Sequence, residues 1–329
     1  MNPSRLRSER THPFVFPPRS SLEGERDGRF FQAEGGELCA TLDSRWEALL
    51  GALGGLGPVA IILHNPHLRI ASITRRLDFQ PEPESGTFVE LSSGLMVDPG
   101  DWAYALAVEE RVPGGVIFGF QFFDHRGRGQ LKLLLTRQAR PAAFFDLLKA
   151  HVAGGFPPEV ERADAVAEPV VPTPTPPGRR LLRRLWRVTR HETGGWFFPG
   201  LPGVSRLSVL RHVGQVYARP VAFESLIPLL LEARRAELPL RVTLFSHGAA
   251  HAICCLPRYV ERCPEGLHLF DAESEFHLFS GEETLYWIIS KGGHAAVEII
   301  STTGQRLGLI ESMRLPLWQK EWDRILANG

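Results

Sequence analysis

The sequence predicts an α+β fold made of two tandem, structurally similar repeats, each an antiparallel β-sheet flanked by helices. Apolar residues alternate through residues 118–135, FGFQFFDHRGRGQLKLLL, on both sides of a polar turn that contains glycine. This pattern is typical of a β-hairpin with one buried face. A similar pattern returns at residues 295–311, AAVEIISTTGQRLGLIE, beyond a proline-rich stretch. The recurrence over such a long period favours a duplicated domain over a solenoid.

The elements that precede each hairpin follow the same order in both halves. A helical stretch comes first, then a strand opened by proline, then an apolar strand with tyrosine and tryptophan. The first half has them at 44–53, 58–65 and 101–108, and the second half at 222–236, 239–246 and 283–290. Gly127 and Gly304, in the two hairpin turns, lie 177 residues apart. This shared order indicates that both halves form the same set of elements.

The joint between the halves is visible in the composition. Residues 157–178 carry seven prolines and show no apolar periodicity, which favours an extended polyproline II linker. We therefore predict four segments along the chain. They are a flexible arm at 1–30, a first repeat at 31–156, a linker with a basic helix at 157–192, and a second repeat at 193–329.

The basic segment at 179–191, RRLLRRLWRVTRH, contains six arginines and a partial helical apolar stripe. This pattern predicts an amphipathic helix with a solvated basic face. An anion or nucleic-acid surface is the alternative. Because no aromatic stacking residues or nucleic-acid motif accompany the arginines, we expect no nucleic-acid partner.

Composition narrows the class of protein. The chain has 37 basic and 37 acidic residues, so its formal net charge is zero, and no global field attracts a polyanion. No apolar run approaches the ~20 residues that cross a bilayer, and the N-terminus has no apolar signal region. The four cysteines at 39, 254, 255 and 263 lack metal-finger spacing. We therefore expect a reduced, cytoplasmic protein without membrane insertion.

Several motifs occur in both halves and in the same order. The first half has RWEALLGALGGLGPVAIILHN, WAYALAVEE and FQFFDHRGRGQLKLLLT, and the second has LHLFDAESEFHLF, LYWIISK and VEIISTTGQRLGLI. Over roughly residues 37–155 and 205–326, these motifs resemble the HemS/ChuS/PhuS family of cytoplasmic haem-handling proteins. The resemblance implies that haem lies in a cleft of the second half. It also implies that haem is passed to an oxygenase partner or, in some members, degraded.

The resemblance places the family's iron-binding histidine on Gly214, within LSVLRHVGQVY at 207–217. His212 lies two residues earlier, about 200° round a helix from that position. It would bind iron only after a register shift or local unwinding of the helix. Within this segment, His212 is the candidate metal ligand.

Some of the other positions of the family's haem site are matched in this sequence, and others are not. The arginine expected in the first half falls on Met96, a candidate thioether ligand. Lys291 matches the family's basic position, and Arg314 lies one step beyond a lost arginine. Cations near the candidate ligand complete the predicted haem-binding set for the propionates. They are Arg206, Arg211 and Arg219.

The remaining chemistry-bearing residues favour structural roles. His247 and His251 have a spacing that suits metal ligands on a helix, but the segment reads as a strand, a turn at Gly248 and a second strand. His277 reads as an ordinary strand residue. Glu109 and Glu110 point to opposite faces of a strand, so they do not form an acid–base pair. The sequence contains no phosphate-loop, nucleophile-elbow or metalloprotease motif, and we assign no catalytic residue.

Three functions follow from these observations. The first is a haem-binding or haem-trafficking protein of iron utilisation, with haem or a related tetrapyrrole as ligand and a haem-uptake or haem-oxygenase protein as partner. The second is a divergent scaffold without haem that acts in interaction or regulation. The third, a haem-degrading enzyme, is least favoured because the family's ligand positions are depleted.

Overall fold

The computed structural model describes residues 37–82, 85–112, 115–153, 176–188, 205–291, 294–313 and 316–328. The predicted arm at 1–30, most of the predicted proline-rich linker and Arg314 lie outside the described residues. The chain divides into two compact units. Within the described residues, unit 1 contains chain segments up to Ile62, from Ala71 to 153, and His247–Ala249. Unit 2 contains Leu63–Ile70 and the rest of the second half.

Unit 1 contains six consecutive strands of one sheet, in the order β1-β7-β8-β9-β2-β3, and the antiparallel strands β4, β5 and β6. The strands are β1 (Glu37–Leu42), β2 (Val59–Asn65), β3 (Leu68–Thr74), β4 (Phe79–Pro81), β5 (Phe88–Glu90), β6 (Leu95–Val97), β7 (Trp102–Val112), β8 (Gly115–Asp124) and β9 (Gly129–Leu135). Its helices are α1 (Trp46–Ala52), which continues as a 3-10 turn at Leu53–Leu56, a 3-10 turn at Pro99–Asp101, and α2 (Pro141–His151). β2 and β3 continue into unit 2.

The predicted hairpin of the first half is confirmed, and its aromatic residues form a core with the helices. Phe120 packs 4.8 Å from Phe144 of α2, and Phe122 lies 6.3 Å from Trp46 of α1, between ring centroids. All three phenylalanines are fully buried. Because aromatic rings remove large apolar areas from water, these contacts attach both helices to one face of the sheet.

The prediction of a single buried face is wrong for this hairpin, since every residue of β9 is buried. On the second face Lys132 forms an ion pair with Glu110, and Gln121 donates to the same carboxylate at 3.3 Å. Burial of these polar groups is tolerable because the opposite charges and the amide satisfy one another. Glu110 is thus a structural partner of Lys132, consistent with the absence of an acid–base pair with Glu109.

Unit 2 repeats the arrangement with six consecutive strands of one sheet, in the order β10-β16-β17-β18-β11-β12, and the antiparallel strands β13, β14 and β15. The strands are β10 (Ala218–Val221), β11 (Leu240–Ser246), β12 (Ala249–Cys255), β13 (Tyr259–Cys263), β14 (Gly266–Phe270), β15 (Ser274–Phe279), β16 (Thr284–Lys291), β17 (His294–Ser301) and β18 (Arg306–Ser312). The helices are α3 (Pro176–Val188), α4 (Arg206–Val213), α5 (Phe223–Arg235) and α6 (Pro316–Asn328). Among the residues that the structure describes, no helix combines the length and apolar character needed to cross a bilayer.

The two hairpin turns have the same local structure, and the predicted duplication extends to individual hydrogen bonds within them. In unit 1, Gly127 (φ 71°) donates its N–H to Asp124 O at 3.0 Å. In unit 2, Gly304 (φ 96°) donates to Ser301 O, also at 3.0 Å. Each hairpin also has an irregularity in its pairing just before the turn, at Phe122/Phe123 and at Ile299/Ile300. Such bulges are specific features of a sheet, so their coincidence supports the α+β fold with two related repeats.

Candidate functional site

Helix α4 of unit 2 carries the predicted iron ligand, and its local sequence defines both of its ends. The Ser205 hydroxyl accepts a hydrogen bond from the Ser208 N–H at 3.2 Å, which caps the first turn. Leu207, Leu210 and Val213 are buried on one side of the helix. The helix ends at Gly214, whose φ of 107° lies in a region that side chains disfavour.

His212 lies in the last turn of α4 and is half-buried. Its Nδ1 lies 2.8 Å from the carbonyl oxygen of Ser208, one helical turn earlier. Because a carbonyl only accepts hydrogen bonds, Nδ1 carries the proton in this contact and Nε2 carries the lone pair of the neutral ring. A backbone carbonyl that orients an imidazole in this way is a frequent outer partner of metal-binding histidines. His212 is therefore in a tautomer that can donate Nε2 to a metal.

The position that the resemblance assigns to the iron ligand is occupied differently. Gly214 supplies no side chain, and Arg183 of α3 lies over it. The Arg183 Nε–H donates to Val213 O at 3.1 Å. A Cβ added to Gly214 would lie 3.5 Å from Arg183 Nε. A guanidinium thus caps the helix end beside the place where the family carries its histidine.

Helix α3 lies against α4 through its apolar side. Leu182 and Trp186 are buried in a cluster with Leu210 and Val213 of α4, and the Trp186 Nε1–H donates to Ser290 O at 3.0 Å. The other side of α3 is exposed at Arg180, Arg183 and Arg184. For these described side chains, the predicted amphipathic helix with a solvated basic face is confirmed. Arg180 and Arg184 keep their charged heads in water, Arg183 also donates to Val213 O, and the apolar stripe is buried.

Arg206, at the start of α4, is held by a buried carboxylate. Its Nε and Nη2 donate to the two oxygens of Glu298 at 2.8 and 2.6 Å, and Arg306 Nε lies 3.1 Å from the same carboxylate. Burial raises the pKa of Glu298, but attraction to the two guanidinium groups outweighs it and the pKa lies below its usual value. Arg206 also lies over the ring of Trp186, 5.3 Å from its centroid. This arginine therefore connects α3, α4 and β17.

The other predicted haem-binding residues lie at varied places. Arg211 is exposed on α4, whereas Arg219 on β10 donates from Nη2 to Leu326 O at 2.6 Å. Lys291 is the last residue of β16, opposite His294. Met96 is half-buried on β6 of unit 1, opposite Val89. Arg314 lies outside the described residues.

The alternative metal pair of histidines is not on a helix. As predicted, β11 ends at Ser246, a turn follows with Gly248 at φ 68°, and β12 contains His251. His247 is exposed in that turn and His251 is fully buried. Within the described ranges, no three His, Cys, Asp or Glu side chains converge to hold a metal ion. The predicted role of His277 as a strand residue is also correct, since it lies in β15.

Three residues that shape this region were not predicted to lie at the site. Arg183 and Trp186 were predicted only as members of the amphipathic basic helix, and no role was predicted for Glu298. Glu298 left a usable trace, because it is a carboxylate at a position of β17 where neighbours in the pattern are apolar. The contact of Arg183 with the end of α4 joins positions thirty residues apart and left no local trace.

The comparisons with known proteins agree with the architecture. Residues 26–151 match the haemin-degrading HemS.ChuX domain family. Two curated relatives extend over most of the chain. The hemin transport protein HmuS of Yersinia pestis is 24% identical over 312 residues, covering 90% of this chain and 86% of that protein. The hemin transport protein HemS of Yersinia enterocolitica is 24% identical over 284 residues, covering 81% and 78%.

Solved structures show the same fold over nearly the whole length. ChuS of E. coli, described as a heme oxygenase, superposes with a TM-score of 0.73 at 18% identity and covers 90% of this chain and 89% of its own. The holo form of PhuS, described as a heme-binding protein from Pseudomonas aeruginosa, has a TM-score of 0.72 at 20% identity, covering 93% and 90%. With the domain match over residues 26–151, the relatives that extend over most of the chain and the repeated hairpins, the chain is similar to the HemS-like two-repeat proteins and shares their α+β fold.

Proposed function

We propose that this protein binds haem, or a related tetrapyrrole, and carries it in the cytoplasm as part of haem-iron utilisation. The observation that carries the proposal is the His212 imidazole, half-exposed on α4 with Nδ1 bonded to a backbone carbonyl. The full-length likeness to the hemin transport proteins HmuS and HemS indicates which ligand such an imidazole would meet. Haem iron accepts neutral imidazole as an axial ligand.

The described residues fit haem in part. His212 would offer Nε2 to the iron, and Arg211 and Lys291 would hold the propionates by charge-assisted hydrogen bonds. Arg206 and Arg219 are also proposed for the propionates, but their guanidinium groups already bind Glu298 and Leu326 O. We therefore propose that Arg211, which is exposed, is the main arginine that binds the propionates. Met96 and Arg314 also stay proposed haem-binding residues.

We propose a carrier in preference to an enzyme because a single imidazole is available on α4 and Gly214 supplies no donor. On this view a haem-uptake protein delivers the ligand, and a haem oxygenase receives it. The protein named as a heme oxygenase among the structural neighbours keeps degradation open as the less favoured alternative.

One observation favours a second candidate, a HemS-like scaffold that has lost haem and acts through protein contacts. Arg183 lies over Gly214 and bonds to Val213 O, so the family's ligand position is filled from within the chain. A positive charge at this position disfavours a cationic metal centre beside it.

A hemin titration separates these functions. Apo-protein at micromolar concentration should shift the Soret band and saturate near one equivalent. His212→Ala should weaken hemin binding by roughly tenfold or more, because the axial bond is lost. His247→Ala is the matched control, since it removes an exposed histidine from a turn, and it should leave binding unchanged.

Three results would redirect the proposal. A spectrum identical to that of free hemin would favour the scaffold. Equal affinity of the wild type and His212→Ala would remove His212 as the ligand. Biliverdin formation after addition of a reductant and oxygen would favour the enzyme.

A further inference from the structure

A cysteine and a histidine lie side by side on the three-stranded sheet β13–β14–β15 of unit 2. Cys263 Sγ is 3.4 Å from His277 Nε2, within hydrogen-bonding reach for sulfur. His277 is 5% exposed, whereas Cys263 is half-exposed. A small molecule can therefore approach the sulfur from solvent while the imidazole behind it stays dry. Among the described cysteine side chains, Cys254, Cys255 and Cys263 are reduced thiols.

Strand pairing explains why these two side chains meet. Cys263 pairs with Gly266, and Gly266 pairs with Phe279. In the next row His268 pairs with His277. Because side chains two residues apart share a face, Cys263 and His277 project from the same side of this sheet. Gly266 has no side chain, so the middle strand leaves room for Sγ to reach the imidazole on β15.

The row beyond the histidines supplies a carboxylate. Glu275 is paired with Arg69, and its Oε2 lies 3.5 Å from His268 Nε2. Burial raises the pKa of Glu275, but attraction to Arg69, the hydrogen bond from His268 and the charges of both histidines lower it to about 2. Glu275 is thus anionic at neutral pH. It lies beside the two imidazoles, whose ring centroids are 5.5 Å apart.

The spacing of the rows separates this carboxylate from the sulfur. Glu275 is opposite Phe270, and Cys263 is opposite Gly266. Four residues of strand span about 13 Å. An anion at Glu275 is therefore too far away to repel a thiolate at Cys263 strongly.

Other charged groups surround the pair at its margins. Glu261 is exposed on the same face, Arg262 is exposed on the opposite face, and Glu265 lies in the β13–β14 turn. Helix α5 packs against β13, and its buried residues are Leu226, Leu229, Leu230 and Ala233. The charged residues of that helix are Glu224, Glu232, Arg234 and Arg235.

We propose that Cys263 is a nucleophilic thiol, activated by His277, that exchanges with low-molecular-weight disulfides. His277 takes the Sγ proton, and the thiolate forms a bond to one sulfur of the disulfide as the original S–S bond breaks. The departing thiolate takes up a proton. Cys263 is thereby oxidised to a mixed disulfide and the departing half is reduced, so the modification is reversed by excess thiol. This site is independent of His212 and of haem.

Cys254 provides an internal reference for this reactivity. Its sulfur is exposed and lies 3.3 Å from the thioether of Met313. Desolvation raises its pKa above the ordinary thiol value, although Arg241 opposes the change. Accessibility alone therefore predicts that Cys254 reacts first, whereas activation by imidazole predicts that Cys263 does.

The test is the rate of modification of each cysteine in the full chain. The reduced protein is exposed to glutathione disulfide at pH 7, quenched at intervals, and mapped by mass spectrometry of its peptides. We expect Cys263 to react at least about tenfold faster than Cys254. His277→Gln should slow Cys263 by a similar factor and leave Cys254 unchanged, and His247→Gln, in an exposed turn, should change neither rate.

The pH profile of the wild type keeps the test decisive even when His277→Gln folds poorly. An activated thiol reaches its plateau below the ~8.5 of an ordinary cysteine, whereas an unassisted thiol gains about tenfold per pH unit up to that value. A Cys263 rate that follows the ordinary profile, or that trails Cys254 at pH 7, would overturn the proposal. An unchanged rate in folded His277→Gln would do so as well.

Discussion

At the scale of single residues, Gly214 decides what kind of site α4 can form. Its φ of 107° ends the helix directly after Val213. A side chain at this position would be disfavoured by the positive φ, and its Cβ would contact the guanidinium of Arg183. At the position that the resemblance assigns to the iron ligand the chain therefore has a helix end, and the imidazole of His212 lies two residues earlier.

Replacement of this glycine tests how firmly the helix end is set. Gly214→Ala should lower the free energy of unfolding by roughly 1–2 kcal/mol, because alanine disfavours the positive φ. Gly51→Ala is the matched control, since Gly51 lies in α1 with nothing within 4 Å of an added Cβ. It should raise stability by up to about 1 kcal/mol. Urea unfolding measures both changes, and a neutral Gly214→Ala would show that the helix end relaxes.

A second residue-scale feature links the two repeats. Gln121 and Glu298 lie 177 residues apart, and both are 0% exposed. Gln121 donates to Glu110, beside Lys132, whereas Glu298 accepts from Arg206. Both repeats thus have a buried polar residue at the equivalent position, and its hydrogen-bond partners differ between the repeats. Partners are needed because a buried polar group without a hydrogen bond destabilises the fold.

At the scale of elements, helix α3 determines how much of α4 is accessible. Leu182 and Trp186 fill a cluster with α4 and Trp287 of β16. The same helix brings Arg183 to the end of α4. A segment that the sequence places in the linker region is therefore part of the surroundings of the candidate site.

Loss of the anchoring tryptophan measures this attachment. Trp186→Ala should lower the free energy of unfolding by about 3–5 kcal/mol, because a fully buried indole leaves a cavity. Leu181→Ala, on the same helix but 56% exposed, should cost well under 1 kcal/mol. Chemical denaturation of both variants provides the comparison. Equal effects of the two substitutions would mean that α3 is not held by its apolar stripe.

At the scale of the whole molecule, buried carboxylates set the response of stability to acid. Glu275 has its pKa lowered from 4.5 to about 2, and the pKa of Glu298 is also lowered. A carboxyl whose folded-state pKa is depressed stabilises the protein fully above its unfolded-state value. That stabilisation is lost as the pH falls from about 4.5 towards 2.

Stability measurements between pH 7 and 2.5 test this response. Glu275→Gln should be less stable than the wild type by about 3 kcal/mol near neutral pH, and the difference should shrink below about pH 4.5. Glu273→Gln is the control, because Glu273 is exposed in the bend directly before the same strand. It should follow the wild-type curve throughout. A difference for Glu275→Gln that stayed constant down to pH 2.5 would contradict the assignment.

Much of the fold was predictable from local patterns, and less of the site was. The helix predicted at 222–236 is α5, Phe223–Arg235, and the strand predicted at 239–246 is β11, Leu240–Ser246. The candidate residues were found through resemblance, and their roles stay predictions. Two contacts could not be predicted from any short stretch of sequence. They are the hydrogen bonds from Arg206 to Glu298 and the contact between Cys263 and His277.

The sequence by itself determined the two repeats and their order of helices and strands, because apolar periodicity and turn chemistry act over a few neighbouring residues. Only the tertiary structure decided that Arg183 covers the end of α4, that β9 is buried on both faces, and that a thiol meets an imidazole. Those contacts depend on which distant segments pack together. Packing of that kind is selected by the free energy of the whole core and not by any local preference.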